Sequence, residues 1–500
     1  MSDLKELRNR IDEIDDQLTK LFQERMATVE QVAEYKKLNG INTSDPERER
    51  KIIEKHLPFV EEKWQPYYQD FQKDLFTLSR KYQDEKNGND DAFLRYGVDF
   101  STYSDNGFNA GKLAREAMAR NPEGTVNATV GSMRNEENEI LAFNTVYDTY
   151  ASIPDGRKAS YAGGIQGNPD FCETVFNWVN RLDNIHVPHQ VVATPGGTGA
   201  LSASIANVTN RYESILISDI AWGSYRVMAG QFDLKVETYK LVEDGKASIN
   251  DMKIKCQKLM DQQGKVVMII NDPCHNPTGL SMGTELWKEL IAFLNELSKQ
   301  GPITLINDIA YFDYALDYDN ATAYMSAFND ISENVAIVIA FSCSKTLTAY
   351  GMRVGSAIIL AKKQETADHF YNSFLRTARA FWSNVNNGFM DCFVKLVKEH
   401  KDEFMAEKKK AVNLLRERSE IFIKEAEECG LPLYPYSEGF FITVHIEDKD
   451  LLNRYYENLN KADIYTVKFS SGIRVAICSV SKEKCAGLAK RMKEILDKSM

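Results

Sequence analysis

A single lysine stands among small hydroxyl residues directly after a long apolar run. The run Val335 to Phe341 leads into Ser342-Cys343-Ser344-Lys345-Thr346, and Arg353 follows eight positions after the lysine. A lysine at the end of a buried strand is costly to desolvate unless it is neutral or bonded covalently, and an aldehyde cofactor offers such a bond. The serines and the arginine suit a phosphate. The alternative is a serine-capped strand end with a solvated lysine, and this motif alone does not exclude it.

Four other short apolar runs also lead into unusual polar residues. With the lysine run, they predict strands at residues 190–193, 214–218, 266–270, 303–306 and 335–341. The first four lead into Thr194-Pro195-Gly196-Gly197-Thr198-Gly199-Ala200, into Asp219 and Trp222, into Asn271-Asp272-Pro273-Cys274-His275-Asn276-Pro277-Thr278-Gly279, and into Asn307-Asp308-Ile309-Ala310-Tyr311. In open α/β sheets, ligands bind at the carboxyl ends of the strands, so the pattern predicts one site at this edge.

Each of these segments also has an ordinary structural interpretation. Gly197 and Thr198 could open a helix whose N–H groups bind phosphate, but a glycine-rich stretch is by itself more typical of a tight turn. Trp222 could stack on a cofactor ring or simply belong to the core. The sequence Asn276-Pro277-Thr278-Gly279 has good turn propensity, and His275 beside it is interpreted as a packing residue. The combination of segments, rather than any one of them, favours a site.

Together these segments resemble the fold-type I, class I aminotransferases of the aspartate and aromatic subgroup. The matching motifs are NPTG, DxAY, SxSKTxxxYGxRxG and a late GxR, and the resemblance covers about residues 92–500. It implies pyridoxal 5'-phosphate as cofactor, with Lys345 as its covalent attachment point and as general acid/base. The implied cofactor contacts are Gly197, Thr198, Trp222, Asn276, Asp308, Tyr311, Ser342, Ser344, Lys345, Arg353 and, from the neighbouring subunit, Tyr161.

The same resemblance implies two substrate-binding arginines. Arg474 would bind the α-carboxylate with Gly131 beside it, and Arg379 would reach the neighbouring subunit's site and meet a distal carboxylate. Subgroup members often carry a histidine three residues after the stacking tryptophan. Here that position is Tyr225, so the support of Asp308 is expected to differ.

The first ninety residues have a helical pattern instead. Apolar residues recur at spacings of three and four: Leu4, Leu7, Ile11, Ile14, Leu18, Leu21, Phe22, Val29 and Val32. The spacing predicts one amphipathic helix over Asp3 to Lys37, roughly 50 Å long, which a small unit cannot cover alone and which favours a dimer. Asn39-Gly40 should end it, Pro46 should begin a second helix after Ser44-Asp45, and a third should span about Trp64 to Gln83.

This segment resembles the all-helical (AroQ) class of chorismate mutases over its full length. The matching motifs are LxxLRxxIDxIDxxLxxLFxxR, VAxxK, DPxRE and SRxxQ. The resemblance implies a site of Arg8, Arg25, Lys36, Asp45, Arg48, Glu49 and Gln83. Arg25 and Lys36 share a helix face by spacing alone, but a solvated charged face would look the same.

The chemistry of chorismate suits those residue types. Its rearrangement is pericyclic, so the protein has only to hold the reactive conformer and meet the charge that grows on the breaking ether oxygen. The resemblance implies that the three arginines bind carboxylates, Lys36 and Gln83 face the ether oxygen, and Glu49 holds the ring hydroxyl. Arg8 would come from the partner subunit, in agreement with the over-long first helix.

Composition limits the remaining possibilities. The chain has 500 residues, a net charge of −11, and eight cysteines without metal-binding spacing. The acidic balance disfavours a nucleic-acid or membrane-surface partner. In some transcription regulators an aminotransferase-like domain follows a helical DNA-binding domain, but the helical segment here shows no helix-turn-helix pattern. No apolar signal or membrane segment is found, so a cytoplasmic protein with reduced thiols and no metal site is expected.

These observations predict an all-α N-terminal domain at residues 1–88, a polar linker around Lys86 to Asp91, and an α/β aminotransferase at 92–500. The latter should have a large domain at about 140–395 and a smaller α+β domain from about 92–139 and 396–500. The predicted function is bifunctional: chorismate to prephenate, then prephenate to arogenate with glutamate or aspartate as donor. The alternatives are transamination of phenylpyruvate, 4-hydroxyphenylpyruvate or an aspartate-type substrate, with a helical domain that is either a mutase or a non-catalytic dimerisation or sensing module.

Overall fold

The computed structural model describes residues 3–89, 93, 94, 96 and 102–500. It forms two compact units, residues 1–102 and 103–500. The first unit is all-helical and the second is built around a mostly parallel sheet. The predicted fold class is therefore confirmed for both parts.

Three helices make up the first unit: α1 (Leu4–Leu38), α2 (Pro46–His56) and α3 (Gln65–Asn87). Helix α1 ends at Asn39 as predicted, and Gly40 follows with a φ of 63°. Helix α2 begins with Pro46 at its first position, and the carboxylate of Asp45 accepts the backbone N–H of Arg48 at 3.0 Å. Helix α3 continues four residues past the predicted Gln83 because the first residue suited to a left-handed cap is Gly88, which has a φ of 73°.

The second unit contains both helices and strands. The helices are α4 (Asn106–Arg120), α5 (Asn144–Ser152), α6 (Asp155–Ala159), α7 (Pro169–Val179), α8 (Gly196–Val208), α9 (Ser224–Gln231), α10 (Asn250–Gln263), α11 (Thr284–Leu297), α12 (Cys343–Thr346), α13 (Gln364–Phe381), α14 (Asn387–Glu399), α15 (Lys401–Cys429), α16 (Lys449–Lys461), α17 (Lys482–Cys485) and α18 (Leu488–Ser499). The strands are β1 (Val126–Asn127), β2 (His189–Thr194), β3 (Ser214–Ser218), β4 (Lys235–Tyr239), β5 (Val242–Glu243), β6 (Lys246–Ala247), β7 (Val266–Asn271), β8 (Ile303–Asp308), β9 (Val335–Ser342), β10 (Gly355–Ala361), β11 (Ile442–His445), β12 (Ile464–Tyr465), β13 (Val467–Phe469) and β14 (Gly472–Val475).

A seven-stranded sheet forms the centre of this unit. Its order is β2-β10-β9-β8-β7-β3-β4, and only β10 runs antiparallel to its neighbours. All five predicted strands are present in it and point the same way, so their carboxyl ends lie at one edge. Arg353 lies in the short connection between α12 and β10, and this connection places it beside the lysine segment.

The central strands are apolar throughout because both faces of the sheet are covered. Along β7, Val267 and Ile269 belong to one buried cluster, whereas Val266, Met268 and Ile270 belong to another on the opposite face. This division follows from the alternation of side chains along a strand. A continuous apolar run is typical of such a doubly covered parallel sheet.

Smaller sheets are built from the two ends of the second unit. Strand β1 pairs in parallel with β12, although more than three hundred residues separate them in the chain. Strands β11, β14 and β13 form an antiparallel sheet, and β14 carries Arg474. This sheet thereby brings a late residue to the edge of the central sheet.

Candidate active sites

A cavity of about 580 Å³ lies at the carboxyl ends of the central strands. Twelve residues predicted from the sequence line it: Gly131, Gly197, Thr198, Trp222, Asn276, Asp308, Tyr311, Ser342, Ser344, Lys345, Arg353 and Arg474. Phe108, Ile140, Tyr225, Tyr350 and Phe441 also line it and were not predicted to do so. Most of these come from loops and aromatic clusters whose position depends on tertiary contacts, so only Tyr225 could be anticipated from its spacing to Trp222.

Lys345 lies in the short helix that follows β9. Its Nζ donates a hydrogen bond to the carbonyl of Gly131 at 3.1 Å and lies 4.6 Å from the ring centre of Tyr350. Burial lowers the pKa of Lys345 to about 8, and the nearby arginines Arg353 and Arg474 add to that effect. The amine is therefore close to neutral at mildly alkaline pH, the form that can act as a nucleophile or a base.

Asp308 is buried at the end of β8, where the hydroxyl of Tyr225 donates to its Oδ2 at 2.6 Å. The backbone N–H of Ala310 donates to Oδ1 at 3.0 Å. Burial raises the pKa of Asp308, while these two hydrogen bonds and the charge of Lys345 oppose the rise. Tyr225 therefore contacts the carboxylate directly at the position where a difference from the subgroup was expected.

A cluster of donors lies at the N-terminus of α8. Arg353 Nη1 donates to Ser344 Oγ at 3.0 Å and to the carbonyl of Tyr350 at 2.9 Å. Gly196 has a φ of 71°, and a Cβ there would lie 2.5 Å from Arg353 Nη2. The missing side chain lets the arginine and the helix N-terminus approach each other, which makes a pocket suited to an anion.

Arg474 is buried and reaches the cavity from β14. Its Nη1 donates to Asn276 Oδ1 at 3.1 Å and its Nη2 to the carbonyl of Thr129 at 2.8 Å. Its Nε has no hydrogen-bond partner among the described residues, and burial lowers the pKa of the guanidinium. The carbon of the guanidinium lies 4.3 Å from the ring centre of Phe441. A buried arginine that meets only neutral acceptors is suited to a carboxylate.

Two predicted residues do not line this cavity. Tyr161 is 84% exposed, and Arg379 is exposed on α13 with its Nη1 donating to Ser383 Oγ at 2.6 Å. Both had been predicted to act in the site of a neighbouring subunit. His275, interpreted as a packing residue, is buried with Nδ1 2.9 Å from Thr278 Oγ1, and burial lowers its pKa to about 3.

In the helical unit, polar side chains converge between α1 and α3. Arg25 donates to the hydroxyl of Ser79, and Gln83 one turn further along α3 donates to the carbonyl of Ser79 at 3.0 Å. The Oε1 of Gln83 is buried and has no partner among the residues that the structure describes. Ser79 was missed as a site residue, although its place in the SRxxQ motif, one turn before Gln83, could have shown it.

The other predicted residues of this unit lie around that centre or away from it. Lys36 Nζ donates to the carbonyl of Thr43 at 2.7 Å, and Glu49 is paired with Arg80, a contact not foreseen from the sequence. Asp45 and Arg48 are exposed at the start of α2, and Arg8 is exposed on α1. Arg8 and Arg25 are seventeen positions apart in α1, about 25 Å along the helix axis, so Arg8 cannot join this group within one chain.

Membrane-spanning helices and metal-binding clusters are absent from the part of the chain that the structure describes. None of the helices in the described part of the chain is long and apolar enough to cross a membrane. Within residues 3–89, 93, 94, 96 and 102–500, no group of three or more histidine, cysteine or carboxylate side chains is placed to hold a metal ion.

Comparison with known proteins decides the family. Residues 123–492 match the profile of Aminotransferase class I and II. The chain belongs to this aminotransferase family. Residues 7–84 match Chorismate mutase type II, so the aminotransferase is fused to a mutase-type domain. Both resemblances inferred from the sequence are thereby confirmed.

Curated relatives of this aminotransferase have modest identity. The aspartate aminotransferases of Salmonella typhi and Escherichia coli are each 25% identical, over 54% and 52% of this chain and 68% and 65% of theirs. The aromatic-amino-acid aminotransferase of Paracoccus denitrificans is 25% identical over 51% of this chain and 64% of its own. The alignments thus span about two thirds of each of these relatives.

Solved structures show the same fold. An aminotransferase from Anaerococcus prevotii is 30% identical, with a TM-score of 0.78 over 81% of this chain and 99% of its own. An aromatic-amino-acid aminotransferase from Burkholderia pseudomallei, described as covalently bound to pyridoxal phosphate, is 18% identical with a TM-score of 0.65 over 81% of this chain and 100% of its own.

Class I aminotransferases depend on pyridoxal phosphate, and the cavity of this aminotransferase fits that group. The donor cluster of Arg353, Ser344 and the α8 N-terminus suits the phosphate. Asp308 is a buried carboxylate suited to the pyridine nitrogen, and Lys345 is a buried amine of lowered pKa suited to the aldehyde.

Proposed function

We propose that this chain is a bifunctional enzyme that converts chorismate to prephenate in its helical unit and transaminates prephenate to arogenate in its α/β unit, with glutamate or aspartate as amino donor. The observation that carries the second step is the buried Arg474, whose Nε has no partner among the described residues, in a cavity lined by Phe108, Ile140 and Phe441. A keto acid that carries a ring would place its carboxylate on Arg474 and its ring against this apolar lining.

The helical unit would act by positioning alone. Arg25, which donates to Ser79, would bind a carboxylate, and Lys36 and Gln83 would donate to the ether oxygen as its bond breaks. Because the charge develops only in the transition state, donors fixed in advance lower the barrier without a covalent step. Glu49 would hold the ring hydroxyl once it is released from Arg80.

In the α/β unit, pyridoxal phosphate supplies the electron sink that stabilises the negative charge left at Cα. Arg353 and Ser344 would hold its phosphate, and Asp308, supported by Tyr225, would keep the ring nitrogen protonated. Arg474 would fix the α-carboxylate of the substrate. Lys345 Nζ would then remove the proton from Cα, because its lowered pKa of about 8 leaves a useful fraction of free amine near neutral pH.

We also propose a homodimer in which the partner completes both sites. Arg8 would enter the partner's helical unit, and Tyr161 and Arg379 would enter the partner's aminotransferase cavity. All three are exposed in one chain, and Arg379 would meet the second carboxylate of prephenate. A cytoplasmic location stays a prediction.

The test is to supply the cofactor-loaded protein with chorismate and glutamate, and separately aspartate, at mildly alkaline pH and to follow products by mass. Arogenate that appears as prephenate is consumed is the expected result. Accumulation of prephenate with no arogenate would contradict the second step while leaving the mutase step established.

The apolar lining of the cavity also favours a second candidate, an aromatic aminotransferase acting on phenylpyruvate or 4-hydroxyphenylpyruvate. These acids would use Arg474 but not Arg379. Arg379→Ala therefore separates the candidates: it should raise the KM for prephenate strongly if prephenate is the substrate, and leave the KM for phenylpyruvate nearly unchanged.

A further inference from the structure

A second cavity of about 520 Å³ lies in the α/β unit and shares no lining residue with the first. The lining includes Trp178 near the end of α7 and Arg181 in the turn just after it, Tyr318 from a short 3₁₀ turn, and Lys398, Lys401 and Met405 from the junction of α14 and α15. Its size is typical of a site for a small organic molecule.

The charged groups at this cavity are mostly positive. Its cations are Arg181, Lys398 and Lys401, and its single acidic lining residue is Asp319. Lys398 and Lys401 are exposed, and neither makes an ion pair with any residue that the structure describes. An anion is therefore the ligand that this lining would attract, and Tyr318 and Met405 offer a surface for an apolar or aromatic body.

The floor of the cavity contains a buried charge cluster with an excess of cations. Arg181 stacks on Tyr318 with its guanidinium carbon 3.8 Å from the ring centre, and its Nη1 donates to Asp313 Oδ1 at 2.7 Å. Lys408 Nζ lies 3.6 Å from Asp313 Oδ2, so two cations share one carboxylate. The Nε of Arg181 has no partner among the described residues.

The same cluster reaches the lysine segment of the first cavity. Asp313 Oδ2 accepts the hydroxyl of Thr346 at 2.7 Å, and Lys408 Nζ donates to the carbonyl of Thr346 at 2.6 Å. Thr346 directly follows Lys345. Hydrogen bonds therefore connect Arg181 through one carboxylate to the residue that follows Lys345, a contiguous network of the kind that can couple two sites.

We propose that this second cavity is an effector site for a small carboxylate with an aromatic or apolar body, coupled to the aminotransferase cavity through Arg181, Asp313 and Thr346. The carboxylate would contact Lys398 and Lys401, and the body would pack on Tyr318 and Met405. Coupling of this kind is reciprocal, so effector and amino donor change each other's affinity by the same factor.

The binding test uses phenylacetate as probe on the cofactor-loaded full chain, followed by calorimetry, with phenylacetamide as its uncharged counterpart. Lys398→Gln combined with Lys401→Gln should weaken phenylacetate binding about fivefold to tenfold, because two exposed charge contacts are lost. Lys409→Gln combined with Lys410→Gln makes the same charge change on α15 outside the cavity and should have no effect. Equal binding by both double variants and the native chain, or equal binding of the amide, would overturn the site.

The coupling test uses the KM for glutamate with and without phenylacetate. If phenylacetate changes the KM for glutamate in the native chain but not in the variant with Lys398→Gln and Lys401→Gln, competition with glutamate at Arg474 is excluded as the cause. Thr346→Val should abolish the change while phenylacetate still binds, and Thr346→Ser, which keeps the hydroxyl, should retain it. An unchanged response in Thr346→Val would overturn the coupling. The calorimetric test does not depend on transamination, so its outcome is separate from that of the proposed function.

Discussion

The two candidate sites differ in how much of each a single chain can assemble. In the α/β unit, residues from 131 to 474 line one cavity, and its lysine is buried. In the helical unit, α1 has 35 residues, and its apolar residues Leu4, Leu7, Ile11, Ile14, Leu18 and Leu21 are 43% to 60% exposed. An apolar face of that length without cover is typical of an interface. One chain of the α/β unit encloses most of its candidate site, whereas the exposed apolar face of α1 favours a helical site that a partner chain completes.

Replacement of Lys345 should have the largest effect and should affect only one side of this comparison. Lys345→Ala removes the proposed attachment point and the proposed base, so transamination should fall by at least about 10⁴-fold. Chorismate turnover by the same variant should stay near that of the native chain. The two rates can be measured on one preparation. Retained transamination would contradict the assignment of Lys345 as attachment point and base. Loss of both activities would show that the two sites do not act separately.

Replacement of Lys36 should have the complementary effect. Lys36→Ala removes the proposed donor to the breaking ether oxygen and should lower chorismate turnover by about 10²-fold to 10³-fold, the usual cost of one such donor. Lys37→Ala is the matched control, because Lys37 is exposed on the same helix. Loss of chorismate is followed by absorbance. Equal turnover by the two variants would show that Lys36 has no role in the reaction, and absence of chorismate turnover in the native chain would make the helical unit a dimerisation or sensing module.

Mixing variants tests whether the helical site spans two chains. Arg8→Ala and Arg25→Ala should each lower chorismate turnover by at least about 100-fold. When the two are unfolded together and refolded, half of the dimers contain both chains, and each of these has one intact site. About a quarter of the native activity should then return. No recovery in the mixture, with native protein recovered after the same treatment, would place Arg8 outside the partner's site.

Replacement of Tyr225 should have a smaller effect on transamination. It tests whether Asp308 depends on the hydrogen bond from a tyrosine of its own chain. Tyr225→Phe removes the donor 2.6 Å from Asp308 Oδ2 and should lower the kcat of transamination about tenfold. Because that hydrogen bond lowers the pKa of Asp308, its loss raises the pKa further, and the acid limb of the pH profile should move to higher pH. An unshifted profile would show that another group supports Asp308.

The extent of prediction from sequence also differs between the two units. The five strands were predicted to within two residues at each end, because fully buried strands appear as continuous apolar runs with polar residues after them. The helices α1 and α2 were predicted from their period and from Asn39-Gly40 and Pro46. Ser79 and Arg80, in contrast, lie in the quoted SRxxQ motif but were not assigned to the site, and their contacts with Arg25 and Glu49 are seen in the structure.

The sequence by itself determined the two units, their classes and most of the residues that could perform chemistry, because periodicity and turn residues act locally along the chain. Only the tertiary structure decided which of these residues meet. It placed Arg474 beside Asn276, put the tyrosine that follows Trp222 against Asp308, and left Tyr161 and Arg379 outside the cavity. It also connected Arg181 to Thr346 through Asp313. Such contacts join residues far apart in the chain, and their positions depend on how strands and helices pack.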